Sequence, residues 1–381
     1  MFFERTYRRG DSGPAVAEVR AKLGVLGLLP VSTDPLEEAV TASFDDPTDR
    51  AVREFQQQRG ITVDGIVGPQ TYHALDEARW RLGDRILSYV PARLIAGDDV
   101  AGLQQRLLDM GFDCGRVDGL FGVETEQALR EFQRNVGIRA DGTCGPATFK
   151  ALNQLVRTVV GGRPHAMRES EAITQAGPTL SGKLVIVDPG HGGPDRGVGG
   201  HGLDEAGLVY DLASRVEGRL TATGSSAFLT RGPEGRMDEV ERANFANAAG
   251  ADLVISLHMD AHGNSDAAGC ASYFYGNDRL GHQSSVGERF ADLVQREVCA
   301  RTDLRNCRAH PKTWDLLRRT RMPAVRIEIG YLTSPGDAAR LADPTFRDVL
   351  AEAIVAAVQR LYLPPGEDAE TGNLRIPALR S

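Results

Sequence analysis

No stretch of the sequence reaches the roughly 18 consecutive apolar residues that a membrane-crossing helix needs. Met1 to Gly10 also lacks the apolar core and small-residue cleavage site of a secretory leader, and no apolar run follows the Arg8-Arg9 pair. Both absences lead to the expectation of a cytoplasmic protein. There is no C-x-x-C pair, and the cysteines (Cys114, Cys144, Cys270, Cys299 and Cys307) are odd in number. That argues against a disulfide framework and for a reducing compartment. Cys114 and Cys144 are close enough in sequence to leave their pairing open. Positive charge is not in excess: the net charge is −8, which gives no basis for nucleic-acid binding. The locally basic stretches, Arg301 to Arg308 and Arg318 to Arg321, read either as solvated faces or as contacts for an acidic ligand.

What is present exceeds one ordinary core. The 381 residues, 41% apolar and 25% charged, set two or three globular domains as the expectation. Comparing the chain with itself reveals a duplication. At a shift of 77, Arg53-Glu54-Phe55-Gln56 meets Arg130-Glu131-Phe132-Gln133, Asp64-Gly65 meets Asp141-Gly142, and Gly68-Pro69 meets Gly145-Pro146. Upstream the shift becomes 84, with Val16, Val19 and Leu23 meeting Val100, Leu103 and Leu107, so the first copy carries extra residues around Pro30 to Ala42. The i, i+3, i+7 spacing predicts three short helices per copy, with Thr48 and Thr125 as N-caps or first-turn residues. The copies span 10–78 and 94–153. Through F-Q-x-x-x-G-I-x-x-D-G-x-x-G they resemble the peptidoglycan-binding domain 1 family, which implies a wall glycan as ligand. Phe55, Phe132 and the repeated glycines themselves read as core and turn.

Residues 154–182, containing Gly161-Gly162-Arg163-Pro164 and Gly177-Pro178, read as a linker. From 183 to 363, β-branched apolar runs alternate with amphipathic helices, the pattern of a largely parallel sheet covered on both faces. The expected fold class is therefore α/β: two small all-α three-helix repeats, then an α/β domain. Residues 364–381 open with Pro364-Pro365-Gly366 and read as a flexible tail.

The chemistry lies at the ends of three apolar strands. Leu184 to Val187 runs into Asp188-Pro189-Gly190-His191-Gly192-Gly193, which throws a histidine out on a glycine-lined loop. Taken alone, that histidine suits a metal, a proton transfer or an incidental turn. Leu253 to Leu257 ends in His258, and Ala324 to Gly330 delivers Glu328. Glu205 opens a helix that runs to about Arg219. Two histidines and one carboxylate make the ligand set of an open zinc site, and a further carboxylate serves water activation.

Four motifs carry a resemblance over residues 184–362: D-P-G-H-G-G (Asp188 to Gly193), G-x-x-E (Gly202 to Glu205), S-L-H-x-D-A (Ser256 to Ala261) and P-A-V-x-x-E-x-G-Y-x-T (Pro323 to Thr333). This region resembles the zinc-dependent N-acetylmuramoyl-L-alanine amidases of the AmiC/CwlV type. The resemblance implies that His191, Glu205 and His258 hold zinc and that Glu328 is the catalytic acid/base. The implied substrate is peptidoglycan, a muropeptide or a wall precursor. Arg231 and Arg318 are the nearest basic candidates for a peptide carboxylate or an oxyanion. Three positions depart from the family pattern: Asp260 for asparagine, Ser334 for asparagine, and Arg326 for an aliphatic residue.

A wall amidase meets its polymer outside the membrane, which conflicts with the expectation of a cytoplasmic chain. Two repeats ahead of this domain without an export signal resemble an actinobacterial branch of the family, and that resemblance implies cytoplasmic control of wall-precursor synthesis under a Ser/Thr kinase. The second reading is therefore an amidase fold serving as a regulatory binding module for a precursor-synthesis enzyme. Thr371, after Glu367, Asp368 and Glu370 and three residues before Leu374, is the candidate phosphorylation site for a forkhead-associated-domain partner.

Overall fold

The structure, a computed structural model, describes residues 6–30, 41–91, 93–154, 164–277, 282–364 and 366–368. The chain divides into two compact units, one reaching to His165 and taking in His282, the other starting at Ala166.

The first unit contains both repeats. Helices α1 (Pro14–Val25), α2 (Asp46–Arg59) and α3 (Pro69–Ala78) form the first; α4 (Asp98–Asp109), α5 (Val123–Asn135) and α6 (Pro146–Gln154) form the second. Each buries its own core: Val16, Val19, Leu23, Val52, Phe55 and Leu75 in one, and Val100, Leu103, Leu107, Leu129, Phe132 and Leu152 in the other. Thr48 is a first-turn residue, since the N-cap is Asp45, whose carboxylate accepts from the Thr48 backbone N–H at 3.0 Å. The extra residues 31–40 lie outside the described residues.

A buried glutamine ties down each D-G turn. Gln133 Nε2 donates to Asp141 Oδ1 (2.9 Å), the Thr143 carbonyl (3.0 Å) and Thr148 Oγ1 (3.0 Å), and its Oε1 accepts from Gly142 N (2.8 Å). Gln56 repeats this with Asp64, Ile66, Thr71 and Gly65. A third copy, invisible at a fixed offset, joins Gln104 of α4 to Asp118, Leu120, Thr125 and Gly119. Both ends of each amide are satisfied, so burial leaves no unpaired polar group. The three turn glycines, Gly65, Gly119 and Gly142, all take φ 72°, where a side chain would be strained.

In the second unit a mostly parallel sheet carries the order β4-β1-β5-β9-β6-β7, with β8 also on β6. The strands are β1 (Leu184–Pro189), β4 (Ser226–Leu229), β5 (Leu253–Asp260), β6 (Cys270–Asn277), β7 (His282–Gln283), β8 (Asn306–Lys312) and β9 (Ala324–Tyr331). A separate pair is formed by β2 (Gly199–Gly200) and β3 (Leu203–Asp204). The β1–β4, β1–β5 and β5–β9 pairings are parallel, whereas β9–β6 is antiparallel. Side chains alternate between the faces. Val185, Val187, Ile255 and Val325 enter a large core with α8 (Glu205–Ala222), α10 (Ser285–Arg301) and α12 (Pro344–Tyr362). Ile186, Val254 and Ala324 face a smaller one with α9 (Glu239–Ala249) and α11 (Asp315–Arg319). Asp238 and Glu241 form a capping box at the start of α9, and Gly250 (φ 65°) ends it.

The stretch expected to be a linker contains helix α7 (Pro164–Gln175). Its polar composition hides a docked element: Ile173 and Leu180 join the large core, and Glu169 accepts from Ser284 Oγ and the Val286 N–H at the start of α10. The basic stretch Arg301 to Arg308 runs from the last residue of α10 into strand β8. Asp368, read as tail, ion-pairs with Arg296 (2.8 Å) and with fully buried Arg360 (2.5 Å). All five cysteines are free, and burial pushes the thiols of Cys114 and Cys144 up. Among the described residues no helix is long and apolar enough to cross a membrane.

Candidate metal centre

Three protein segments meet at the carboxyl end of the sheet. His191 leaves β1 with φ 55°, a conformation that costs a residue with a side chain about 1–3 kcal/mol and persists only where the surroundings impose it. Here they do. Gly190 N donates to the Leu257 carbonyl (3.0 Å), and Arg242 donates to the carbonyls of Pro189 (2.6 Å) and His191 (2.7 Å). Arg242 is itself held by Asp188 (2.5 Å), which also accepts from Thr230 Oγ1 (2.5 Å) and Ser256 Oγ (2.7 Å). Burial alone would raise the Asp188 carboxyl; the Arg242 charge and the two hydroxyls hold it below the usual range.

Glu205, the first residue of α8, lies between the two imidazoles. Its Oε2 is 3.1 Å from His191 Nε2 and its Oε1 is 2.9 Å from His258 Nδ1. Backbone N–H groups of Val198 (2.9 Å) and Met259 (3.0 Å) donate to the same two oxygens. Burial opposes ionisation of this carboxyl, but the imidazoles outweigh it and the group stays well below the carboxylate range. The His258 imidazole, buried and facing the Arg326 charge, is pulled down to about 4 and is neutral at pH 7. Two glycines make room: a Cβ on Gly190 would sit 2.2 Å from His258 Cε1, and one on Gly197 would sit 2.4 Å from Glu205 Oε2.

One donor atom each from His191, Glu205 and His258 lies within 4.8 Å of the others, the metal-capable group among the described residues. Two imidazole nitrogens and one carboxylate oxygen fit zinc or a similar transition metal, not the all-oxygen shells of calcium or magnesium. Metal-binding imidazoles characteristically give their other N–H to a carboxylate. His191 does so, with Nδ1 2.9 Å from Asp195 Oδ2. Asp195 escaped the sequence reading; its position four residues after His191 was the available signal. The remaining described histidines, His201 and His262 among them, take no part in the group.

Glu328 reaches the same edge, because β9 pairs with β5 in a register that places it opposite His258. It is 6% exposed, and its Oε2 has no hydrogen-bond partner among the described residues. Burial raises its pKa above the ordinary value, with Arg326 opposing the shift.

The structure changes the reading of Arg231. The side chain is 5% exposed and spends its donors on carbonyls: Pro189 (2.9 Å), Gly190 (2.7 Å), Ala206 (3.1 Å) and Gly232 (3.2 Å). It braces the His191 loop; sequence shows a charge but not what the charge is spent on. Arg318 sits half-buried on α11. Thr371 lies outside the described residues.

Residues 185–360 match the N-acetylmuramoyl-L-alanine amidase family, and residues 12–75 and 96–152 match the putative peptidoglycan binding domain. N-acetylmuramoyl-L-alanine amidase CwlM of Mycobacterium tuberculosis is 49% identical over 98% of this chain and 93% of its own length. N-acetylmuramoyl-L-alanine amidase LytC of Bacillus subtilis is 31% identical over 45% of this chain and 34% of its own. Among solved structures, the amidase AmiC2 of Nostoc punctiforme is 30% identical over 47% of this chain and 96% of that one, with a TM-score of 0.43.

Proposed function

The chain belongs to the N-acetylmuramoyl-L-alanine amidase family, and from that premise we propose that it hydrolyses the amide joining the lactyl group of N-acetylmuramic acid to L-alanine, in peptidoglycan or its fragments, using zinc held by His191, Glu205 and His258. The observation that carries the reading is the convergence of those three donors within 4.8 Å, with Glu328 on the neighbouring strand position. Zinc bound there supplies Lewis acidity, polarising a carbonyl and lowering the pKa of a water to about 7. Asp195 and the Val198 and Met259 N–H groups hold the donor set in place.

Glu328 moves the proton. Its unpartnered Oε2 takes a proton from the attacking water and passes it to the amide nitrogen as the C–N bond breaks. A buried carboxyl with a raised pKa suits both halves of that transfer, because the group must accept and then release near neutral pH. The two repeats are the proposed contact with wall glycan.

Metal analysis tests the assignment. Protein purified without chelator should carry about one zinc per chain. The double variant His191→Ala, His258→Ala should lose it and Glu328→Ala should keep it. Unchanged zinc in the double variant would overturn the ligand set.

A further inference from the structure

One basic side chain touches the proton-transferring carboxylate, at the position where the sequence departs from the family's aliphatic residue. Arg326 lies two residues before Glu328 on β9, so both side chains leave the same face of the sheet. Its Nε is 2.8 Å and its Nη2 2.7 Å from the same oxygen, Oε1 of Glu328. The far end of the guanidinium is anchored separately: Nη1 donates to Glu239 Oε1 at 3.1 Å, and the guanidinium carbon lies 4.5 Å from the centre of the Trp314 ring. Glu239 is the first residue of α9 and Trp314 immediately precedes α11, so two helices beside the sheet hold the arginine. The arginine in turn holds one carboxylate oxygen, while the other has no partner among the described residues.

Resting on the amidase reading, we propose that Arg326 is a positioning residue for Glu328: by clamping Oε1 it fixes the carboxylate plane and leaves Oε2 as the oxygen that takes the proton from water and delivers it to the departing nitrogen. Without the clamp, both oxygens are equivalent and the side chain can turn toward other donors. Arginine suits the task because its planar fork fixes direction as well as charge. Glu239 and Trp314 restrain the clamp, so its own rotation is limited.

The test compares wild type, Arg326→Met and Arg326→Lys as full-length, zinc-loaded chains on an N-acetylmuramoyl peptide, measuring kcat, KM and zinc content. A misplacement of about 1 Å can cost about 100-fold in rate. Arg326→Met should therefore lower kcat about 10- to 100-fold, with KM within about threefold and zinc unchanged. Arg326→Lys, which keeps a donor and a charge, should recover at least half of that loss on a logarithmic scale. Should Arg326→Met not fold, Glu239→Gln loosens the far anchor and should lower kcat about three- to tenfold with KM unchanged. Crystal structures of the same variants supply a readout that needs no turnover: the Glu328 carboxylate should be displaced in Arg326→Met and retained in Arg326→Lys. A wild type that fails to cleave would refute the amidase reading, while the carboxylate's position in the crystals would still decide this one. Wild-type kcat in Arg326→Met, or a Glu328 unmoved by the substitution, would overturn the proposal.

Discussion

Replacing Asp188 by asparagine should be among the most damaging conservative changes in the second unit. The carboxylate is fully buried and accepts from Arg242, Thr230 and Ser256, while Arg242 is only 4% exposed. Asparagine keeps the shape but turns one acceptor oxygen into an N–H donor, and leaves a buried guanidinium without its counter-charge. Breaking a buried pair from one side costs about 3–5 kcal/mol. For a unit of this size, each kcal/mol moves Tm by about 2–4 °C, so the expected drop is about 6–20 °C. Thr230→Ala removes one neutral donor and should cost about 0.5–1.5 kcal/mol. Trp314 is buried in this unit, so its fluorescence in a Trp80→Phe background reports the transition. The sign of the pH dependence follows from the same network. Asp188 is depressed in the folded chain. Its contribution is therefore fully present above the unfolded value of about 3.9, and is lost as pH falls through the lower folded value. The gap between wild type and Asp188→Asn should close in acid. A Tm within about 2 °C of wild type at pH 7, or a Thr230→Ala cost equal to that of Asp188→Asn, would refute the reasoning.

Gly190→Ala should displace the His258 ring, since the added carbon falls 2.2 Å from Cε1; zinc affinity measured by chelator competition should weaken at least about tenfold. Gln133→Leu should strip Asp141, Gly142 and Thr148 of their common partner. That leaves the buried Gly142 N–H without its acceptor and should cost about 1–3 kcal/mol in denaturant unfolding.

The residues proposed to do the chemistry are the most legible. His191, His258 and Glu328 come from short apolar strands and Glu205 opens a helix, and the motifs that carry the family resemblance join the four into one set. What sequence could not supply was direction and partner. Arg231 and Arg242 carry the same charge, and both brace the His191 loop through carbonyls more than 40 residues away in sequence. Nothing local distinguishes such an arginine from one aimed at substrate. Helix α7 was hidden because only Ile173 marks its buried side among polar residues. The Gln104 turn was hidden for a geometric reason. Gln56 and Gln133 reach an aspartate 8 residues on, whereas Gln104 reaches one 14 residues on, across a loop between helices. Arg326 was visible as a departure from pattern, but its grip on Glu328 depends on Glu239, 87 residues earlier in the chain.

The most direct test of the central claim is cleavage itself. Zinc-loaded protein would be incubated with an N-acetylmuramoyl peptide, and release of the peptide with a free L-alanine amine followed by mass spectrometry. Wild type should release the peptide, chelation should stop release and added zinc restore it, and Glu328→Ala should lower the rate about 10²- to 10⁴-fold. No release from folded, zinc-loaded wild type, or equal release by Glu328→Ala, would contradict the claim.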